Sequence, residues 1–213
     1  MNGYSQRFLR ALVFCTLGMA SLTHVATYQA LGTASSQTGA LIRTETTVQV
    51  GNHPLDRFKM IRLVKDSPAS HRKGALFLLP PLGTSFNFYE QRDEHGGFGT
   101  SIAEFFALRN YDVYGYSPRF EGIPAGTCEA GVLDCTVMAG WNLQSLIDDV
   151  AFVRAQIEAT HPGTRIVVGG ASLGAILGLA VINAHPASYD GLILWEGMLF
   201  TPDAAVQALN QGC

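Results

Sequence analysis

Ser172 is the residue whose setting points most directly to chemistry. It stands in Gly170-Ala171-Ser172-Leu173-Gly174, after the apolar run Ile166-Val167-Val168 and before the apolar stretch Leu173 to Ala184. A serine on a sharp turn between a buried strand and a buried helix has its Oγ lifted clear of the sheet, where it can attack a carbonyl carbon. Glycines two before and two after the serine let strand and helix approach closely, and Gly170 and Gly174 fill those places. The helix N-terminus also offers backbone N–H groups where negative charge develops. Two other readings use the same residues. In one, Ser172 is simply a helix cap. In the other, Gly169 and Gly174 belong to a dinucleotide-binding loop, with Glu196 as its ribose ligand. Against the second, Ala171 replaces the middle glycine, and the loop follows several strands rather than opening the domain.

A serine needs a general base, and the base needs an orienting carboxylate. After Ser172 the sequence contains a single histidine, His185. It falls at the far end of the same helical stretch, roughly 20 Å away at 1.5 Å per residue, and reads as structural. His95 and His161 precede the serine, and nothing around them selects either as base. Glu196 ends the strand after the helix and is the candidate acid, or equally a surface or pocket residue.

These residues need a frame. Thr44 to Val50 and Phe58 to Val64 alternate, and Gly51-Asn52-His53-Pro54 between them signals a turn, so the pair reads as a hairpin. Ala75 to Leu79, Ile166 to Val168 and Leu192 to Trp195 are continuous apolar runs, the pattern of strands buried on both faces. Val113 to Tyr116 is a weaker strand. Ser101 to Asn110, Leu143 to Thr160 and Leu173 to Ala184 read as helices, the second with a one-sided apolar stripe and the third apolar nearly all round. Alternating strands and helices of this kind predict an α/β domain with a mostly parallel sheet and helices on both faces.

Four stretches in order sharpen this. They are Leu78-Leu79-Pro80-Pro81-Leu82-Gly83-Thr84, the run Tyr111 to Gly122 with Ser117-Pro118-Arg119, Asp148-Asp149-Val150, and His185-Pro186 followed by Tyr189 to Leu194. With the serine turn between the last two, the region from about Arg62 to Pro202 resembles the α/β-hydrolase superfamily. The resemblance implies a serine hydrolase acting on a carboxylic ester or related acyl substrate, with no metal and no organic cofactor. It assigns the oxyanion hole to the backbone N–H groups of Leu82 and Leu173. Pro80-Pro81 stands where the family commonly has His-Gly, and proline has no N–H, but Leu82 does. The family's chain order is serine, acid, histidine. The catalytic histidine is therefore expected beyond Cys213, the last strands are expected to be missing, and these residues alone are expected to be inactive. A non-catalytic binding protein of the same fold is the alternative.

The bulk composition agrees with one domain: 47% hydrophobic, 15% charged and net charge −3 over 213 residues. Lysine and arginine are scattered, which excludes a nucleic-acid surface and leaves a small ester or acyl molecule as partner. Arg7 and Arg10 precede an apolar run from Ala11 to Leu22, so residues 1–34 read as a signal peptide or N-terminal anchor and 35–213 as the hydrolase domain. Export is expected, to the periplasm or the outside; without cleavage the segment would tether the protein to the membrane. Cys128 and Cys135 bracket a short Gly-containing loop and are expected to form a disulfide.

Overall fold

The computed structural model describes residues 26–123, 126–129, 131 and 134–196. The Ala11–Leu22 run, Cys15, the helix start at Thr201-Pro202-Asp203 and Cys213 lie outside the described residues. The strands are β1 (Tyr28–Thr38), β2 (Leu41–Val50), β3 (Arg57–Lys65), β4 (Ala75–Leu79), β5 (Asp112–Ser117), β6 (Ile166–Ala171) and β7 (Gly191–Trp195). The helices are α1 (Asn87–Glu90), α2 (Ile102–Leu108), α3 (Leu143–Thr160) and α4 (Leu173–Ala184). The seven strands form one sheet in the order β1-β2-β3-β5-β4-β6-β7. The first three run as an antiparallel meander joined antiparallel to β5, and β5, β4, β6 and β7 are mutually parallel.

Both faces of the sheet are covered, which is why the central strands read as unbroken apolar runs. Phe77 and Leu79 of β4 face one side, with Val150, Val153 and Ile157 of α3 and Leu177 and Val181 of α4. Leu76 and Leu78 face the other, with Ala103 and Ala107 of α2 and with Phe86 and Tyr89. Asn142 caps α3 with Ser145 in a reciprocal pair of hydrogen bonds, which fixes the start of that helix where its apolar stripe begins.

Two readings change. The Val113–Tyr116 run is a central strand, β5, buried along its whole length. Gly115, which weakens its sequence signal, leaves the space that the Phe86 ring fills; a Cβ there would collide with that ring. Residues 28–34, placed with the targeting segment from sequence, lie in β1, paired with β2. Tyr28 is held there by chemistry: its ring stacks on Phe152 at 4.6 Å, and its hydroxyl donates to Asp149 at 3.3 Å. Cys128 and Cys135 are joined, with Cα atoms 5.6 Å apart. Among the described residues no helix is long and apolar enough to cross a membrane.

Candidate active site

Ser172 leaves β6 and opens α4 with φ +53° and ψ −118°. A helix cap normally takes an extended backbone and lets its side chain accept from the next turn. Ser172 does neither, since its side chain makes no capping bond. A non-glycine residue in this region carries strain that only its surroundings can enforce. Those surroundings are visible. A Cβ on Gly170 would meet the carbonyl of Gly174, and a Cβ on Gly174 would meet the carbonyl of Leu79. The two glycines therefore bring β6, α4 and the end of β4 closer than any other residue allows. The Ser172 N–H donates to the Trp195 carbonyl at 3.1 Å, which ties the turn to the end of β7.

The loop after β4 carries Leu82. Leu79, which ends β4, and Pro80, which opens the loop, run against the first turn of α4. Tyr89, buried, donates its hydroxyl to the Leu79 carbonyl at 2.7 Å and so pins the loop where it leaves the sheet. Burial pushes the Tyr89 hydroxyl well above its ordinary pKa, which keeps it a donor. A turn from Pro81 to Thr84, closed through the Pro81 carbonyl and containing Gly83 at φ +73°, presents Leu82 outward, 67% exposed. The Leu173 amide belongs to the first turn of α4, where N–H groups have no partner inside the helix. The Leu173 amide thus adjoins the serine, and the segment that leads to Leu82 packs against the same turn of α4.

Glu196 follows β7 directly and is exposed. Trp195 pairs with Ala171, so Glu196 and Ser172 occupy the next register position on neighbouring strands. The histidines are elsewhere. His185 ends α4, at the far end from the serine. His161 ends α3 and meets Asp112 at 2.8 Å, at the start of β5 and hence at the opposite end of the sheet. His95 is exposed beside Glu94. His53 accepts the Leu55 amide at 3.2 Å. Among the described residues none hydrogen-bonds Ser172.

A group not legible from sequence lies beneath the turn after β5. Arg119, buried, grips Asp149 of α3 through Nε at 2.9 Å and Nη2 at 2.6 Å, and reaches Asp56 through Nη1 at 2.8 Å. Tyr116 donates to the same Asp149 at 3.0 Å, and the Trp141 indole donates to Asp56 at 2.6 Å. These bonds lock the turn at the carboxyl end of β5 to α3 and to the β2–β3 hairpin.

The family follows from comparison with known proteins. A family model described as serine aminopeptidase, S33, a hydrolase family, matches residues 91–211. The chain belongs to this family. It is therefore an α/β-hydrolase, and its seven-stranded mixed sheet with helices on both faces is that fold. No curated protein matches it significantly. Among solved structures it is similar to a Sulfolobus solfataricus protein provisionally assigned as a lipase, at 17% identity and TM-score 0.62, over 85% of this chain and 56% of that one. It is also similar to a cold-adapted esterase from an Arctic intertidal metagenomic library, at 13% identity and TM-score 0.54, over 83% and 69%. A Bacteroides fragilis protein provisionally assigned as an acetyl xylan esterase matches at 14% identity and TM-score 0.55, over 78% and 47%. At such identities the likeness is one of fold. The chain spans little more than half of the first of these.

Proposed function

We propose that this α/β-hydrolase is a serine hydrolase of carboxylic esters or related acyl compounds, with Ser172 as nucleophile. One observation carries the reading: a serine held at positive φ on a strand-to-helix turn that only Gly170 and Gly174 permit. Attack by Oγ on the carbonyl carbon forms a tetrahedral oxyanion. The backbone N–H groups of Leu82 and Leu173 receive it, and Glu196 is the candidate acid. The esterase and lipase descriptions of structurally similar proteins support an ester as substrate. No described histidine is placed as base, so residues 1–213 alone are proposed to hold the nucleophile and its oxyanion donors without full activity. The same absence favours, as second reading, a binding protein that keeps the fold without turnover. Export after removal of the N-terminal segment is part of the proposal, and an uncleaved anchor is its alternative.

Labelling with a fluorophosphonate, followed by peptide mapping, tests the nucleophile. The adduct is expected on Ser172 and absent from Ser172→Ala. An adduct on another serine, or equal labelling of Ser172→Ala, overturns the assignment.

A further inference from the structure

A cleft of about 620 Å³ opens at the carboxyl ends of β4 and β5. That is within the usual range of small-molecule sites, about 300–1,000 Å³. Its walls come from Ser85 and Asn87, which continue the Leu82 loop; from Ser117 and Glu121, at and after the end of β5; and from β2, the β2–β3 hairpin and the start of β3. Ser172 does not line it. Ser117 ends β5, two strands across the sheet from β6, which at about 4.8 Å per strand is roughly 10 Å. The two sites face the same end of the sheet and share the Leu82 loop.

We propose that this cleft binds the hydroxylated part of a substrate, a sugar or other polyol, whose acylated oxygen reaches Ser172. Only the last clause rests on the hydrolase reading; the polyol preference stands on the cleft itself.

Two of the cleft's three cations are already paired with carboxylates. Arg119 is neutralised by Asp56 and Asp149, and the Lys59 ammonium meets Glu45 at 2.7 Å. Arg57 donates its Nε to Gln49 at 2.9 Å and keeps only its outer nitrogens, at an exposed residue. Among the described residues an anionic ligand therefore finds one unpaired cation, exposed Arg57, and it meets Glu121. What remains free is a mixed set of neutral donors and acceptors and one carboxylate. The Ser117 Oγ accepts the Phe86 amide at 3.1 Å, and the Ser85 Oγ accepts the Asn87 amide at 3.3 Å, so each hydroxyl hydrogen is left to donate. The Asn87 side chain is exposed on the same wall. Among the described residues Glu121 has neither ion pair nor hydrogen bond, and burial raises its carboxyl above the ordinary value.

Hydroxyl groups donate and accept, so a polyol satisfies Glu121 and the two serines at once. A hydrocarbon chain would strip water from all three and return no hydrogen bond, which costs free energy at each. The apolar patches offered by Leu55 and Ile123 suit the carbon faces of a sugar ring.

Ligand-observed NMR on the full chain tests this with xylotriose, maltotriose, glycerol and octanoate as probes. A trisaccharide or glycerol is expected to bind, and octanoate is not. Trisaccharide preference assigns the cleft to carbohydrate; glycerol binding of equal strength assigns it to a glycerol-type alcohol. Glu121→Gln and Asn87→Ala should each weaken binding about tenfold, the loss of one hydrogen bond to a polar ligand. Ser172→Ala should bind as the natural chain does, so loss of the nucleophile and loss of the subsite are read separately. Circular dichroism checks the fold of each variant, and exposed Asn87 carries the test if the Glu121 variant unfolds. Octanoate binding in place of polyols, or polyol binding indifferent to both substitutions, overturns the proposal.

Discussion

Ser172 and Glu196 stand side by side at the carboxyl ends of two parallel strands, one residue beyond the Ala171–Trp195 pair, and both hold a backbone φ of +53°. The Ser172 N–H bond to Trp195 couples the two turns. Positive φ at a serine costs of order 1–3 kcal/mol, which the packing of Gly170 and Gly174 must offset. Ser172→Gly is therefore expected to unfold at higher denaturant than Ser172→Ala, by about 1 kcal/mol, because glycine relieves the strain and alanine keeps it. Equal stability of the two variants in urea titrations would show that the turn is unstrained.

The Arg119–Asp149 pair predicts the largest loss from a single side chain. Asp149 is fully buried and receives Arg119, Tyr116 and Tyr28 together. Arg119→Met leaves that carboxylate buried without its cation, an expected loss of about 3–5 kcal/mol. Tyr116→Phe removes one hydrogen bond and should lose about 1 kcal/mol. Chemical denaturation of both variants checks the order. A loss under about 1 kcal/mol for Arg119→Met would mean that water reaches Asp149 freely.

Periodicity made the long elements legible. The α3 and α4 boundaries follow from an apolar stripe that starts at a capping Asn142 and an apolar run that starts after Ser172. The serine turn was legible because its glycines are local. Partners far apart in sequence were not. Nothing near Arg119 in the chain announces Asp149 or Asp56, and Tyr89 gives no local sign that its hydroxyl holds Leu79. Gly115 misled in a specific way: glycine weakens a strand by propensity, yet here its bareness accommodates Phe86. β1 carried no signal because ten of its eleven residues are exposed and small or polar residues dominate it.

Acid should act through Glu104. Burial alone would raise its carboxyl, but the Arg92 guanidinium, the Gly99 amide and Ser101 outweigh it and hold the group below its ordinary value. Arg92 Nη2 lies 2.6 Å from it. A depressed folded value means that the folded state binds fewer protons than the unfolded chain through this range. The resulting stability is present above the unfolded value of about 4.3 and is lost as pH falls through the lower folded value. Glu104→Gln should be less stable at neutral pH and lose less on acidification from about pH 5 downward. Parallel acid curves for the two proteins would exclude Glu104 as a source of acid sensitivity.

Processing of the N-terminus should stop short of Tyr28. Cleavage after Ala34 would remove most of β1 together with the Tyr28 bonds to Phe152 and Asp149. Protein recovered outside the cytoplasm is therefore expected to begin between Ser21 and Tyr28. N-terminal sequencing decides it. A mature start at Ser35 or later, in a stably folded protein, would show that β1 is dispensable.

The last prediction separates the nucleophile from a base, which no described histidine is placed to supply. Ser172 carries the strained turn, and Leu82 and Leu173 are its proposed oxyanion donors, yet no described histidine hydrogen-bonds its hydroxyl. Without a base, the hydroxyl must lose its proton to water, and only residual catalysis from the oxyanion hole and binding remains, about 10³–10⁴-fold over water in a well-studied case. Fluorophosphonate labelling of residues 1–213 should accordingly be slow. Added imidazole can enter an open site and accept the proton, so it should speed labelling in proportion to its concentration. The dependence should follow the neutral imidazole fraction, rising with pH through about 7. Ser172→Ala should abolish labelling with and without imidazole. Glu196→Gln should leave the imidazole-assisted rate unchanged, since free imidazole needs no protein carboxylate to orient it. Fast labelling without imidazole, still dependent on Ser172, would mean that a base is already in place, and His95, exposed on the loop before α2, is the first candidate for substitution.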